Sequence, residues 1–397
     1  MKYDFETLID RKKQGSFKWI DMYNKKPNVS ENVIPLSVAD MEIVNAPEIR
    51  EGLKKYIDET ILGYTIANDS FYDAVISWMD RRHNFKIKKE WIINTPGVVP
   101  ALFTAVRAFT QKNEGVIVMS PVYYPFFNAI KLQDRKVINC PLIKEDENYT
   151  IDYELLNELA SKEENKVLLF CSPHNPVGRV WKKEELEKIS EIVLKNNLIL
   201  LSDEIHHDLV MRGNKHLVLQ TLSEELADKT VTFTAPSKTF NLAGMGMSNI
   251  IIKNKELRDE FIEEVNNING IAINVLGYKA CEIAYNECEE WLEECLLHIE
   301  KNQKIFKEFF EVNFPEIKVK LNEGTYLQWV NFNCLGMNSE ELEEFMINEA
   351  ELFLDEGYIF GDGGEGYERF NLAVPSDVLI EALNRLKVAV DRLKHNI

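Results

Sequence analysis

The chain has 397 residues, 45% hydrophobic and 28% charged, with 65 acidic side chains against 46 basic ones and a net charge of −19. This size supports two or three domains and a large core, and the acidity argues against nucleic acid and anionic membrane surfaces as partners. Six cysteines in so long a chain do not make a disulfide scaffold, there is no run of 18 apolar residues, and the opening Met1-Lys-Tyr-Asp-Phe-Glu has no apolar signal region, so a reduced, cytoplasmic setting is expected.

Residues 1–30 are polar, carry Gly15-Ser-Phe-Lys-Trp19, and read as an arm lying over the rest. A short strand and turn over 34–41 lead to a helix over 46–56 capped by Asn45, a turn containing Tyr64, and an amphipathic helix over 70–84 with Phe71, Val75 and Trp78 at helical spacing. From residue 91 apolar strands (91–95, 116–119, 136–140, 166–171, 198–202, a run from 231 that stops at Pro236, 247–252) alternate with helices such as 98–109, 152–161 and 183–195. Strands apolar on both faces between helices predict an α/β fold, a mainly parallel sheet sandwiched by helices, with its ligand at the carboxyl ends of the strands. Beyond 275, a helical stretch to Phe310, short strands over 317–321, 326–332 and 367–372, and helices from Ser339 and Ser376 predict a smaller α+β domain. The expected division is 1–50 as arm and part of the small domain, 51–280 as the large domain, and 281–397 as the small domain. Cys281, Cys288 and Cys295 recur every seven residues in a helical stretch. Steps of about 10 Å are too long for one metal, and the three read as small buried apolar residues.

Several chemical groups fall at the ends of these strands. Gly97-Val98-Val99 opens a helix whose N–H groups suit a phosphate, or is a simple strand–helix turn. Tyr123 or Tyr124 can stack on a flat ring or fill the core. Asn175 lies in the turn Pro173-His-Asn-Pro176. Asp203 ends an apolar strand, where a carboxylate needs a cationic partner or serves as a helix cap. The following His206-His207-Asp208 lacks chelating spacing, and no metal is expected. Lys238 stands where a strand breaks at Pro236, and desolvation there would make it an amine nucleophile. Arg369 can fork onto a carboxylate or form a structural ion pair. The run Gly361–Gly366 has no following Gly-Lys-Ser/Thr and is not a nucleotide loop. Together these groups describe one ligand, pyridoxal 5′-phosphate, with an amino-acid substrate.

The order Gly-turn, Tyr, Asn-Pro-x-Gly, Asp-Glu, Ser-Lys, Arg resembles the fold-type I, pyridoxal-phosphate-dependent class I/II aminotransferase family, over nearly the whole chain. The gaps of 28 residues from Asn175 to Asp203 and 35 from Asp203 to Lys238 fit its usual spacing. Gly15–Trp19, Ser37-Val-Ala-Asp40-Met, Pro121–Phe126, Ser172–Arg179, Asp203–Asp208, Ala235–Gly244 and Glu323–Trp329 resemble its MalY/PatB-type C–S lyase branch. The resemblance implies that Lys238 links covalently to the cofactor aldehyde and Asp203 pairs with the ring nitrogen. It further implies that Asn175 bonds the phenolic oxygen, Tyr123 stacks on the ring, and Val98 and Val99 hold the phosphate. Arg369, with Asn175, takes the substrate carboxylate. Tyr64 reaches the cofactor phosphate of a partner subunit, implying a homodimer with shared sites.

Two departures separate the chain from simple aminotransferases. His206 replaces a tyrosine near the phenolic oxygen. The phosphate-binding arginine eight residues after the lysine is Gly246, and the serine three before it is Ala235, leaving Ser237 as a candidate donor. The expected activity is α,β-elimination from cystathionine or another cysteine S-conjugate, with Lys238 as base and Asp203 and Tyr123 in support. The alternatives are an aminotransferase for aromatic or neutral amino acids and a cofactor-binding regulator without turnover. The pocket around the substrate Cβ, to which the Trp19 arm and Tyr123 or Tyr124 are expected to contribute, separates lyase from aminotransferase.

Overall fold

The computed structural model describes residues 1–268 and 273–395. In chain order, β1 (Ile34–Pro35) precedes β2 (Ile92–Thr95), β3 (Gly115–Val118) and β4 (Lys136–Asn139). A hairpin of β5 (Ile143–Glu145) and β6 (Asn148–Thr150) comes next. Then follow β7 (Asn165–Cys171), β8 (Ile199–Asp203), β9 (Thr230–Thr234), β10 (Ser248–Ile252), β11 (Leu327–Asn331), β12 (Leu352–Phe353), β13 (Asp355–Glu356) and β14 (Tyr367–Asn371).

Seven strands form the central sheet in the order β2-β10-β9-β8-β7-β3-β4. From β9 to β4 all pairings are parallel, and β10 alone runs against both its neighbours. The central strand β7 shows why the sequence reads as continuously apolar. Val167, Leu169 and Cys171 enter a core with the helices Val98–Phe109 and Lys255–Asn267, while Leu168 and Phe170 enter another with Tyr153–Ala160 and Lys183–Lys195. Side chains alternate faces with period two and both faces are covered. Each large aliphatic or aromatic side chain so buried contributes roughly 1.5–3 kcal/mol.

The smaller unit has an antiparallel sheet β11-β14-β13 and a parallel pair β1-β12, which ties the N-terminal segment to the C-terminal one. The helix Glu289–Asn313 joins the two units. Its first half packs Trp291, Cys295 and Ile299 against the helix Asp69–His83, and its second half packs Phe306 and Phe310 with the helix Ser376–His395. No helix among the described residues is long and apolar enough to cross a membrane.

The structure corrects several local expectations. Residues 317–321 form no strand. Asn45 does not cap its helix, which is Pro47–Glu59 and begins with Pro at its first position; the Asn45 amide instead donates to the carbonyls of Phe240 and Asn241 at 2.9 and 2.8 Å. The polar arm contains a helix, Phe17–Lys25. Its Lys18 is fully buried, paired with Glu42 at 2.8 Å and donating to the Asp40 carbonyl at 3.0 Å, so polarity concealed an internal ion pair. Cys281, Cys288 and Cys295 are buried in one core, but two helices meeting at Cys288 carry them, not one.

Candidate active site

The parallel strands end on one edge, and the groups that follow them converge there. Val98, Val99, Tyr123, Asn175, Asp203, His206, Ser237 and Lys238 line a single cavity of about 170 Å³, with Gly246 contributed by the turn that leads into the reversed β10. A larger cavity, about 690 Å³, lies between arm residues Leu8–Lys12 and the segment beginning at Val374, and holds none of these groups. Trp19 lines that second cavity and not the first, which overturns the expected contribution of the Trp19 arm to the substrate pocket.

One end of the Lys238 cavity suits an anion. Gly97 has φ 152 and ψ 161, a region open essentially to glycine alone. No side chain caps the helix Val98–Phe109 that starts there, so its first N–H groups and the positive end of its dipole remain available. Ser237 lies beside them on the short helix Pro236–Thr239, and Gly246, at φ 54, supplies no side chain at the position the resemblance gives to an arginine.

The middle of the cavity holds the reactive pair. Lys238 keeps some surface toward the cavity, yet protein surrounds its ammonium, and burial brings its pKa down to about 8 against the pull of Asp40. Its Nζ donates to the Ala39 carbonyl at 2.6 Å. Asp203 is 2% exposed and accepts one hydrogen bond, from the Ile205 N–H at 3.2 Å. No cation contacts it among the described residues, and burial raises its pKa to about 7. A buried carboxylate with a vacant oxygen suits a protonated ring nitrogen, and an enclosed amine suits an aldehyde, so these residues fit pyridoxal phosphate. His206 is neutral, held well below its ordinary pKa by burial and then by Lys238 and Arg369, with a buried Nδ1 that has no partner. Tyr123 lies beside Tyr124, ring centroids 5.5 Å apart, and burial keeps its phenol protonated.

Behind Asn175, outside the residues that line the cavity, is Arg369, 2% exposed on β14. It donates to Asn175 Oδ1 at 2.9 Å and to Asp355 Oδ2 at 2.5 Å, while its Nε is buried with no acceptor. An unpaired N–H on a buried guanidinium is what an incoming carboxylate would satisfy. Of the two sequence readings of Arg369, the structure shows the structural ion pair, with Asp355. Tyr64 lies outside this cavity, fully exposed on its turn beside exposed Ile61, Leu62 and Ile66.

Sequence reasoning missed Ala39, whose contribution is a backbone carbonyl, and Asp355, which two-residue β13 sets opposite Arg369. It also missed a cluster behind the lysine. His83 Nε2, His207 Nε2 and the Asp208 carboxylate lie within 4.8 Å of one another, close enough to suggest a metal site. Each Asp208 oxygen already accepts two donors: Trp78 at 3.2 Å on both, His83 at 2.8 Å on Oδ1, and Thr239 at 2.8 Å on Oδ2. The cluster is thus a hydrogen-bonded anchor, and through Thr239 it fixes the short helix that carries Lys238.

The family model for aminotransferase class I and II matches residues 31–386. Cystathionine β-lyase PatB of Bacillus subtilis is 37% identical over 98% of this chain and all of its own length. Protein MalY of Escherichia coli is 26% identical over 95% and 96%. Among solved structures, cystalysin of Treponema denticola, which contains a pyridoxal 5′-phosphate cofactor, superposes with a TM-score of 0.97 at 59% identity over 99% of this chain and 100% of its own. The C–S lyase of Staphylococcus hominis, bound to pyridoxal phosphate, gives 0.92 at 29% identity over 98% of each. The chain belongs to the class I and II aminotransferase family, in the branch of the PatB- and MalY-type lyases.

Proposed function

We propose that this protein is a pyridoxal-phosphate-dependent carbon–sulfur β-lyase that cleaves cystathionine or another cysteine S-conjugate to a thiol, pyruvate and ammonia. The observation that carries the reading is the convergence of an enclosed amine and a buried carboxylate without a cation around one cavity, with a guanidinium bearing a vacant N–H bonded to Asn175 in its wall. The whole-length similarity to cystathionine β-lyases and C–S lyases favours this over an aminotransferase.

When bound, pyridoxal phosphate supplies an aldehyde for the substrate amine and a ring that takes up the electron pair left at Cα. Val98 and Val99 N–H groups and the Ser237 hydroxyl hold its phosphate, Asn175 its phenolic oxygen, and Asp203 keeps a proton on its ring nitrogen. Arg369 binds the substrate carboxylate. Lys238, with a pKa brought toward neutrality, removes the Cα proton as an amine. Tyr123 stacks against the ring, and its protonated phenol is available to the departing sulfur.

Tyr64 would reach the phosphate of a second copy. Ile57, Ile61, Leu62, Tyr64 and Ile66 form an exposed apolar stretch of the kind that marks an interface, which supports a homodimer. All six cysteines are free thiols, consistent with a reduced setting.

The test is pyruvate release from cystathionine and S-methylcysteine without any keto-acid acceptor. The expected outcome is stoichiometric pyruvate and thiol; keto acid formed only after an acceptor is added would assign the aminotransferase activity instead.

A further inference from the structure

One chain of contacts runs from Arg369, which bonds Asn175 in the cavity wall, to Lys238. Asp355 Oδ2 accepts from Arg369 Nη2 at 2.5 Å and, on the same oxygen, from the Val38 N–H at 2.8 Å. Val38 has φ 57, a left-handed backbone that is a genuine outlier for a β-branched residue. Its turn is pinned from the other side by Asn371, whose amide nitrogen donates to the carbonyls of Val38 and Asp40 at 2.9 and 2.8 Å. Between those two residues is Ala39, whose carbonyl receives Lys238 Nζ at 2.6 Å. Strain of this kind persists only where the surroundings over-determine the backbone, and here two polar side chains, half-buried Asp355 of β13 and buried Asn371 of β14, do so.

We propose that Asp355 is a positioning residue for both ends of the substrate site: it orients the Arg369 guanidinium and holds the strained Val38 turn that presents the Ala39 carbonyl to Lys238. This rests on the assignments of Lys238 and Arg369 above. Asp355 touches neither reacting atoms nor, in this arrangement, the carboxylate, and it acts through the two residues that do. Because both donors share one oxygen, an asparagine with its carbonyl in that place keeps both hydrogen bonds and loses only the charge. Alanine loses both. Positioning and simple charge balance therefore predict different orders of severity.

The experiment compares Asp355→Ala and Asp355→Asn by two readouts that do not depend on turnover. One is the dissociation constant of glycine, which has no leaving group, by spectral titration of the cofactor-loaded enzyme. The other is the pH midpoint of Lys238 acylation in the cofactor-free protein, by competitive labelling and mass spectrometry. Asp355→Ala is expected to weaken glycine about tenfold and to lower the Lys238 midpoint by about half a unit, since the ammonium loses an aligned acceptor and a nearby anion. Asp355→Asn is expected to recover most of both. Adding Val38→Gly to Asp355→Ala should restore the part of the lysine shift that comes from the displaced Ala39 acceptor, but neither the part due to the lost anion nor glycine affinity, because glycine takes the left-handed turn without steric cost. The proposal is overturned if alanine changes only one end or neither, if asparagine is as damaging as alanine, or if Val38→Gly restores nothing. Lys238→Ala run in parallel separates the cases. Retained activity in that variant defeats the site assignment itself, whereas its loss beside an unaffected Asp355→Ala defeats only the coupling.

Discussion

Asp203 and Asp208 lie five residues apart on one segment, and both are enclosed by protein, at 2% and 3% exposure. Asp208 accepts from Trp78, His83 and Thr239, and the adjoining imidazoles of His207 and His83 hold its carboxyl far below the usual range despite burial. Asp203 accepts one backbone N–H, and burial carries it up to about 7. The sequence offers two similar acids after one strand; their environments make one a completed structural anchor and the other an incomplete half of a pair. A buried charge that the fold leaves unsatisfied is where a ligand belongs. The same contrast separates Arg179, whose guanidinium pairs with Glu185 and Glu323, from Arg369 with its vacant Nε.

The largest effect falls on the group at the centre of the incomplete cluster. Lys238→Ala removes both the covalent anchor and the base, so kcat should fall by about 10³-fold or more, together with loss of the visible absorption of the covalently attached cofactor. Retention of either would remove the reason for reading the cavity as incomplete.

The two aspartates allow a direct test next. Asp208→Asn puts an amide N–H among donors and leaves buried imidazoles without their anion, so unfolding should become easier by about 3–5 kcal/mol, read by chemical denaturation. Asp203→Asn should cut kcat by about 10²-fold without destabilising the cofactor-free protein. It should even be the more stable form at high pH. The raised folded pKa of Asp203 means that the folded state holds a proton which the unfolded state has already released between pH 4 and about 7. Wild-type stability relative to Asp203→Asn therefore falls across that window, by about 1.4 kcal/mol per pH unit at most, and levels off above it. For Asp208 the sign is opposite: its depressed pKa gives stability that is present above pH 4 and lost only as pH drops through the folded value. Equal pH profiles for the two asparagine variants would refute the contrast.

The incomplete cluster was the more legible of the two in sequence. Asn175, Asp203 and Lys238 each follow an apolar strand, and a parallel sheet delivers all such positions to one edge. Asp208 could not be understood that way, because its partners Trp78 and His83 come from a helix more than a hundred residues earlier. Ala39 was invisible because its contribution is a carbonyl, and Asp355 because two-residue β13 has no periodicity to read. The reversal of β10 and the burial of Lys18 depend on pairings made across the whole chain, which local pattern does not encode.

At the carboxylate end, Arg369→Lys keeps the charge but not the planar fork, and a lysine cannot serve Asn175, Asp355 and a substrate together. KM for cystathionine should rise about 10- to 100-fold with a smaller change in kcat, since the lost hydrogen bonds to a charged group are worth about 1.5–3 kcal/mol. An unchanged KM would mean that the vacant Nε serves some other acceptor.

Ser237→Ala gives the smallest effect and the finest comparison. The expected phosphate end has two kinds of donor, backbone N–H groups at the start of the helix Val98–Phe109 and one hydroxyl. The backbone donors are fixed by the ε-region conformation of Gly97 and survive any side-chain change, whereas the hydroxyl must be oriented at a cost in rotamer freedom. Removing a single such hydrogen bond to an anion, among several, costs about 1.5 kcal/mol, so cofactor affinity should weaken by about tenfold while kcat of the loaded enzyme stays within about twofold. A loss of several hundredfold would show that without an arginine at position 246 the hydroxyl, and not the helix, is the principal phosphate donor.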